Sequence, residues 1–305
     1  MLSISEQLER KTGKELYSYQ KGAIQKIFQC FETAADDYHL LYQLPTGGGK
    51  TVIFSEIVSQ YLKTHKKKVL VMTHRIELCK QTSSVLTEFG VQNKVIDSKA
   101  NLEDQSKFDC FVAMVETLNN RLKDDKLDIS DIGLIIIDEA HYNSFTKLFK
   151  FFEKSFILGV TATPLSSNIE LPMADNYNEL IVGESIESLI ENEFLAQANM
   201  YSYNVGLTSL VVGANGDYTV KSSEDLYTNN EMLSKLMEAY NERCEGKKTL
   251  IFNNGINTSL FVYFSLRLPS TSYFSYSKDI ALILKGISEE QLFWGSINKR
   301  KLWQN

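Results

Sequence analysis

The chain has 305 residues and a mass of 34.7 kDa, a length that suggests two domains of ordinary size. Its 43% hydrophobic and 23% charged residues are typical of globular proteins, and the absence of compositional bias excludes a collagenous, mucin-like or wholly disordered chain. A net charge of −6 argues against a polybasic binder of duplex nucleic acid, although a local groove on an acidic protein can be basic.

The cysteines and the apolar runs indicate the compartment. Cys30, Cys79, Cys110 and Cys244 form no CxxC pair, which argues against a zinc ribbon and fits free thiols in a reducing environment. The first twenty residues lack the apolar segment of a signal peptide, and no apolar run approaches the length of a membrane span. These observations predict a cytoplasmic protein.

Short apolar runs rich in β-branched residues alternate with stretches of helical spacing in the first half of the chain. Strands are predicted at 40–43, 69–73, 110–113, 134–138 and 156–160. Helices are predicted at 51–62, 75–89, 115–122 and 145–152. This alternation is typical of an α/β fold with an open parallel sheet, and the nearly continuous apolar strands indicate that both faces of the sheet are buried.

The pattern weakens in the polar stretch 166–178 and restarts near residue 245. A helix is predicted at 231–244, one clear strand at 249–252 and a helix at 257–266. We therefore predict a first domain at 1–200 and a second at 201–305. Residues from 267 onward have lost the alternation, so we expect them to be loosely ordered and sensitive to protease.

A glycine-rich segment, LPTGGGKT at 44–51, joins the first predicted strand to the first predicted helix. This is the setting of a phosphate-binding P-loop, in which backbone N–H groups curl around phosphate oxygens at a helix N-terminus. Lys50 would reach the β- and γ-phosphates and Thr51 would bind Mg²⁺. The alternative is a plain glycine-rich turn, because Leu44 stands where the motif has its first glycine. The predicted nucleotide-binding residues are Thr46, Gly47, Gly48, Gly49, Lys50 and Thr51.

Two further segments follow predicted strands. LIIIDEAH at 134–141 is an apolar strand that ends in two acids, so Asp138 would bind Mg²⁺ and Glu139 would orient and deprotonate a water molecule. The alternative is a strand followed by a solvated acidic turn. In GVTATP at 159–164, the hydroxyls of Thr161 and Thr163 could bond to His141.

This ordered set of motifs resembles the superfamily 2 helicases of the DEAD/DEAH-box type, in the branch of type III restriction-enzyme subunits and related DNA helicases. Four more segments carry the resemblance, which covers about residues 15–265. LYSYQ at 16–20 is similar to the adenine-reading segment, with Gln20 as the adenine-binding amide. VMTHRIEL at 71–78 is similar to motif Ia, AMVETL at 113–118 to motif Ib and LIFNN at 250–254 to motif IV.

The resemblance implies a RecA-like P-loop NTPase domain followed by a partial second RecA-like domain. It implies an ATP-dependent helicase or translocase with ATP and Mg²⁺ as cofactors and nucleic acid, chiefly DNA, as partner. Lys50, Asp138, Glu139 and His141 would be catalytic, with Thr51 and Asp138 on the metal. Thr161 and Thr163 would couple hydrolysis to motion. The residues expected on nucleic acid are Thr73, His74, Arg75 and Thr117.

The sequence departs from the family near its end, because no Gly-Arg dipeptide occurs and the family's Q-x-x-G-R-x-x-R motif is therefore missing. From this we expect a truncated chain that binds ATP, hydrolyses it slowly and does not unwind duplexes, or one that a partner subunit completes. The alternatives are a translocase on duplex DNA, an RNA helicase, and an inactive fragment that binds nucleotide or nucleic acid.

Overall fold

The computed structural model describes residues 15–34, 37–97, 107–123, 130–166, 170–213, 218–247, 249–253, 255–266, 273–277 and 280–284. The chain forms two compact units that divide between Ala198 and Asn199. The domain limits of 1–200 and 201–305 remain our proposal.

The first unit is built on a seven-stranded sheet in the order β3-β4-β2-β5-β6-β1-β7, and every neighbouring pair is parallel. The α/β fold class with a parallel sheet is thereby confirmed. The strands are β1 His39–Gln43, β2 Lys68–Thr73, β3 Asn93–Ile96, β4 Cys110–Met114, β5 Ile132–Asp138, β6 Phe156–Thr161 and β7 Glu179–Val182.

Helices cover both faces of this sheet. Alternate strand residues point to opposite faces, so Leu70 and Ile135 belong to one buried cluster while Val71 and Ile136 belong to the other. All seven residues of β5 are buried, as expected for a central strand between two helical layers. The helices of the first unit are α1 Ser18–Thr33, α2 Lys50–Thr64, α3 Ile76–Glu88, α4 Val115–Lys123, α5 Thr146–Phe149 and α6 Ile186–Glu191.

The five strands predicted for the first half of the chain are confirmed, but two others were missed. Strands β3 and β7 are four-residue edge strands, and β7 is largely exposed, so neither carries a continuous apolar run. The helix predicted at 145–152 is present but shorter, since only Thr146–Phe149 is α-helical. A 3₁₀ turn at Asn143–Phe145 precedes the single helical turn α5, and i→i+3 bonds such as Phe152 N to Phe149 O follow it. The apolar side chains Phe145, Leu148 and Phe152 are nevertheless buried.

The second unit contains helices α7 Val220–Tyr227, α8 Asn230–Arg243 and α9 Ile256–Leu266, with strands β8 Thr249–Asn253, β9 Tyr273–Ser277 and β10 Ile280–Leu284. Its sheet has the order β10-β9-β8, with β8 and β9 parallel and β9 and β10 antiparallel. The expectation of a single strand in this unit is therefore wrong. Apart from β9 and β10, the segment from residue 267 that we expect to be loosely ordered lies outside the described residues.

Helix α6 ends in a Schellman turn with an unusual residue. Phe194 N donates to Leu189 O at 2.8 Å and Glu193 N donates to Ile190 O at 3.0 Å, which is the bonding pattern of that motif. The left-handed position, with φ of +61°, is occupied by Glu193. Glycine is the usual residue there, because a Cβ clashes with the backbone in this conformation. After the turn, Phe194 packs against Tyr17 and Leu195 lies beside Gly47.

Replacing Glu193 by glycine should stabilise the chain. Relief of the left-handed strain should raise the free energy of unfolding by about 1 kcal/mol, or a few degrees in the thermal midpoint. Glu191→Gly, two residues earlier in the helix itself, should instead lower stability by about 1 kcal/mol. Thermal unfolding of both variants tests this, and an equal loss of stability in both would contradict the assignment.

Candidate functional site

The three phosphate-site motifs meet at one edge of the sheet. Because all seven strands are parallel, their carboxyl ends lie together, and ligands of open α/β sheets bind at that edge. The glycine-rich loop follows β1, the acidic pair ends β5, and the threonine segment ends β6, which lies between β1 and β5. The fold thus brings together residues that are up to 117 positions apart, from Thr46 to Thr163.

The loop after β1 requires its glycines. Gly47 and Gly49 both have φ of +86°, a backbone conformation in which residues that carry a Cβ are strained. A Cβ on Gly49 would lie 2.5 Å from Gln20 Nε2, and one on Gly48 would lie 2.8 Å from Leu44 Cγ. The loop therefore packs closely against Gln20 and Leu44. Thr46 and Gly47 are exposed at its tip.

Lys50 begins α2 with its side chain turned into the loop. It is buried, and its Nζ donates to the Leu44 carbonyl at 3.3 Å. Within the described residues no carboxylate lies within 4.0 Å of this ammonium group. A buried ammonium group with no carboxylate in direct contact is costly, and the first N–H groups of α2 also lack intrahelical partners, so the site favours an anion.

Asp138 faces the same space from the end of β5. Its Oδ1 accepts a hydrogen bond from Glu139 N at 3.0 Å. Burial, followed by the charge of Glu139, raises the pKa of Asp138 to about 6, while Lys50 and the Glu139 N–H act in the opposite direction. A carboxylate held this way is stabilised by a bound cation, so the donor set fits Mg²⁺. Among the described residues no cluster of three acids, histidines or cysteines could hold a metal alone, so phosphate oxygens and water would complete the shell.

A strained turn presents the second acid. Glu139 has φ of +54°, a left-handed conformation that is rare outside glycine, and it is half-buried. Bonds from Ala140 N to Val160 O at 3.0 Å and from Tyr142 N to Glu139 O at 3.1 Å fix the turn from both sides. Strain that the surroundings hold in place in this way is common where a side chain is presented for chemistry.

His141 connects this turn to β6. Its Nδ1 lies 3.0 Å from Thr161 Oγ1 and 3.5 Å from Glu139 Oε2. Thr161 Oγ1 also donates to the Thr163 carbonyl at 3.0 Å and accepts from Thr163 N at 3.1 Å. When the Thr161 hydroxyl donates to that carbonyl, His141 Nδ1 is the donor to Thr161, which orients the ring. The Thr161 hydroxyl thus contacts His141, whereas Thr163 joins this group through its backbone N and O and its hydroxyl makes no hydrogen bond to His141.

Gln20 supports the loop from α1. It is 4% exposed, and its Oε1 accepts from Tyr17 N at 3.0 Å in a capping box. Tyr19 Oη, which lies 3.5 Å from Gln20 Nε2, donates to the Gly48 carbonyl at 2.8 Å. The proposed adenine-binding amide is therefore beside the glycine-rich loop, with its carbonyl oxygen already bonded to the backbone.

The residues expected on nucleic acid lie at the same edge but differ in exposure. Thr73 is fully buried and bonds to Arg75 O at 3.0 Å and to Cys79 Sγ at 3.0 Å, so it supports the turn after β2 rather than presenting its hydroxyl to a ligand. Arg75 is exposed at the start of α3, while His74 and Thr117 are half-buried. Of these four, Arg75 is the side chain best placed for a phosphate.

Sequence reasoning missed an aromatic and apolar group beside the loop. The Phe194 ring lies 4.6 Å from Tyr17 and 5.0 Å from Tyr19 between centroids. Leu195 Cδ2 lies 2.8 Å from where a Cβ on Gly47 would be. Tyr17 and Tyr19 lie within the LYSYQ segment and could have been noted there, whereas Phe194 and Leu195 are placed by the Schellman turn of α6.

Removal of the buried charge at Asp138 should stabilise the protein when nucleotide and Mg²⁺ are absent. Because the folded-state pKa of about 6 exceeds the unfolded value of about 3.9, the ionised form opposes folding at neutral pH, and this penalty declines as the pH falls through 6 toward 4. Asp138→Asn should therefore raise the free energy of unfolding by about 3 kcal/mol at pH 7.5, and by less than about 1 kcal/mol at pH 4.

Denaturant unfolding at the two pH values measures this difference. Asp131→Asn, at the exposed residue before β5, is the matched control and should change the free energy of unfolding by less than about 0.5 kcal/mol at both pH values. An advantage of Asp138→Asn that is absent at pH 7.5, or that grows on acidification, would contradict the electrostatic account.

Comparisons with known proteins agree with these motifs. The family described as "Type III restriction enzyme, res subunit" matches residues 13–166, half of the chain. IRC3 of Saccharomyces cerevisiae is 28% identical over 257 residues and aligns with 70% of this chain and 36% of its own length. A 51.5 kDa protein of a Lactococcus phage is 28% identical over 224 residues, which are 72% of this chain and 44% of that protein.

A third relative and two solved structures also align with this chain. The ATP-dependent DNA helicase MPH1 of Saccharomyces cerevisiae is 30% identical over 175 residues, 51% of this chain and 16% of MPH1. The type ISP restriction-modification enzyme LlaGI aligns with a TM-score of 0.48 at 16% identity, over 83% of this chain and 26% of that chain. UvsW of bacteriophage T4 aligns with a TM-score of 0.46 at 15% identity, over 87% of this chain and 54% of that chain.

The chain spans less than half the length of these curated relatives. None of the helices in the described residues combines the length and apolar character that crossing a membrane requires. Because the family match covers half of the sequence and includes the glycine-rich loop, the acidic pair and the threonine segment, this chain belongs to the family of the type III restriction enzyme res subunit, among the superfamily 2 helicases.

Proposed function

We propose that this chain is an ATP-dependent helicase or translocase that binds Mg·ATP at the carboxyl edge of its first sheet and acts on nucleic acid, chiefly DNA. The observation that carries the proposal is the buried Lys50 ammonium without a carboxylate partner, at the end of a loop whose glycines are required. A triphosphate supplies the missing negative charge, and the N-terminus of α2 favours its position there.

Each residue of the site has a role in this proposal. Lys50 donates to the β- and γ-phosphates, and the backbone of Gly47, Gly48 and Gly49, with Thr46 at the exposed tip, surrounds the phosphate oxygens. Thr51 and Asp138 would hold Mg²⁺, which neutralises phosphate charge when bound. Gln20, beside the glycine-rich loop, would bind the adenine edge.

Glu139 is the proposed general base. It accepts a proton from the water whose oxygen attacks the γ-phosphorus, while the bond from that phosphorus to the bridging oxygen breaks and ADP leaves. His141 lies 3.5 Å from the Glu139 carboxylate and 3.0 Å from Thr161, so it contacts both the proposed base and the end of β6. We assign the coupling of hydrolysis to motion to His141, Thr161 and Thr163.

Nucleic acid is the proposed partner at the neighbouring strand ends. Arg75 would contact a phosphate, with His74 and Thr117 beside it and Thr73 supporting the turn. The net charge of −6 favours such a local contact over a broad basic surface. The name of MPH1 as an ATP-dependent DNA helicase supports the choice of activity and of DNA. A partner subunit for the second domain remains part of the proposal.

Two substitutions should separate binding from hydrolysis. Lys50→Ala removes the buried cation and should abolish most ATP binding. Glu139→Gln keeps the shape of the site but removes the base, so ATP should still bind while hydrolysis falls about 10²–10⁴-fold. Titration with labelled nucleotide and a single-turnover hydrolysis assay measure the two effects. Lys63→Ala, on the exposed end of α2, is the control and should change neither. Unchanged ATP affinity in Lys50→Ala would refute the nucleotide site.

The choice of nucleic acid is tested by the rate of ATP hydrolysis. We expect single-stranded DNA to stimulate the rate more than RNA of the same sequence, and Arg75→Ala to weaken this response for all sequences alike, because phosphate contacts carry no base information. Greater stimulation by RNA would identify an RNA helicase. No response to either would exclude a nucleic-acid-dependent motor.

A further inference from the structure

Three aromatic rings pack in series at the carboxyl edge of the sheet, with one pair stacked and the other tilted. The ring centroid of Tyr142 lies 4.3 Å from that of His141 at an interplanar angle of 36°, and 4.1 Å from that of His74 at 28°. We call His141, Tyr142 and His74 the ring stack. His74 follows β2 and His141 follows β5, and these two strands are neighbours in the sheet. Tyr142 therefore joins the ends of two different strands.

One end of the ring stack is fixed to the candidate hydrolysis site. His141 Nδ1 lies within reach of both Thr161 and Glu139, and Tyr142 N donates to Glu139 O at 3.1 Å. The backbone at Glu139 is already strained, with φ of +54°. Tyr142 is therefore joined to the Glu139 turn by one backbone hydrogen bond and by the packing of its ring on His141.

The other end of the ring stack holds the segment that precedes α3. His74 Nδ1 is buried and has no hydrogen-bond partner among the described residues. Burial lowers the pKa of His74, and the charge of Glu139 is felt there in the opposite direction. A polar atom left without a partner is costly, so the position of this imidazole depends on packing against Tyr142 rather than on a hydrogen bond. Arg75, the exposed side chain proposed for phosphate, is the next residue.

We infer that Tyr142 is a positioning residue that links the nucleotide site to the nucleic-acid segment, because its ring is the contact between His141 and His74. The inference rests on the proposed function, since it requires both ligands to bind. Stacking of flat rings carries it, so the phenol hydroxyl is dispensable. The ring stack changes position as a unit because close-packed groups shift together rather than deform separately.

The coupling between the two ligands tests this inference. The affinity of the full chain for single-stranded DNA is measured with and without a non-hydrolysable ATP analogue, and the ratio of the two affinities is the coupling. In the unsubstituted chain we expect a ratio of about 5–150-fold, the usual range for linked sites. Tyr142→Phe should keep this ratio. Tyr142→Ala should bring it close to one, while the affinity for the analogue alone changes by less than about threefold.

Two further variants keep the test decisive. Tyr142→Leu preserves apolar volume at this half-buried position but lacks a flat ring, so it should lose coupling even if Tyr142→Ala folds poorly. His74→Ala should lose coupling from the other side, and the double variant His74→Ala/Tyr142→Ala should be no worse than either single one. Coupling that survives in Tyr142→Leu, or a ratio of one in the unsubstituted chain, would overturn the inference. Failure of the analogue to bind at all would instead refute the proposed nucleotide site.

Discussion

The parallel direction of all seven strands is the constraint on which the first unit depends. It places the ends of β1, β2, β5 and β6 at one edge, so that Lys50, Asp138, Glu139 and Thr161 converge although the chain separates them widely. The helical layers bury both faces of the sheet and leave this edge as the place where polar groups can gather. The resulting site combines a buried ammonium, a buried carboxylate and the N-terminus of α2.

Local strain accompanies this convergence. Among the described residues, Glu139 and Glu193 are the non-glycine residues with positive φ, at +54° and +61°. Each lies in a turn that brings the following residues to the site. The turn at Glu139 presents the proposed base, and the turn at Glu193 places Phe194 and Leu195 against Tyr17 and the glycine-rich loop. Each such residue costs about 1–2 kcal/mol, which the surrounding hydrogen bonds and packing must offset. The unfavourable burial of Asp138 adds to this cost at neutral pH.

The sequence allows much of this arrangement to be predicted, for identifiable reasons. Central strands such as β5 are continuous apolar runs because both faces are buried, and the motifs follow them directly. Edge strands β3 and β7 lack that signal. The fully buried position of Thr73 also has no signature in the sequence, because it depends on the bond to Cys79 Sγ. Likewise Tyr142 and Phe194 acquire their contacts from tertiary structure, through the stack on His74 and the Schellman turn.

Hydrogen exchange with and without a non-hydrolysable Mg·ATP analogue tests the central claim, that one nucleotide site lies at this edge, most directly. The account predicts slower exchange in peptides that cover residues 44–53, where N–H groups would bond to phosphates, and in peptides that cover 138–142. The amides of β3, at the far edge of the sheet, should exchange at an unchanged rate. Saturating analogue that leaves exchange at residues 44–53 unaltered would contradict the account.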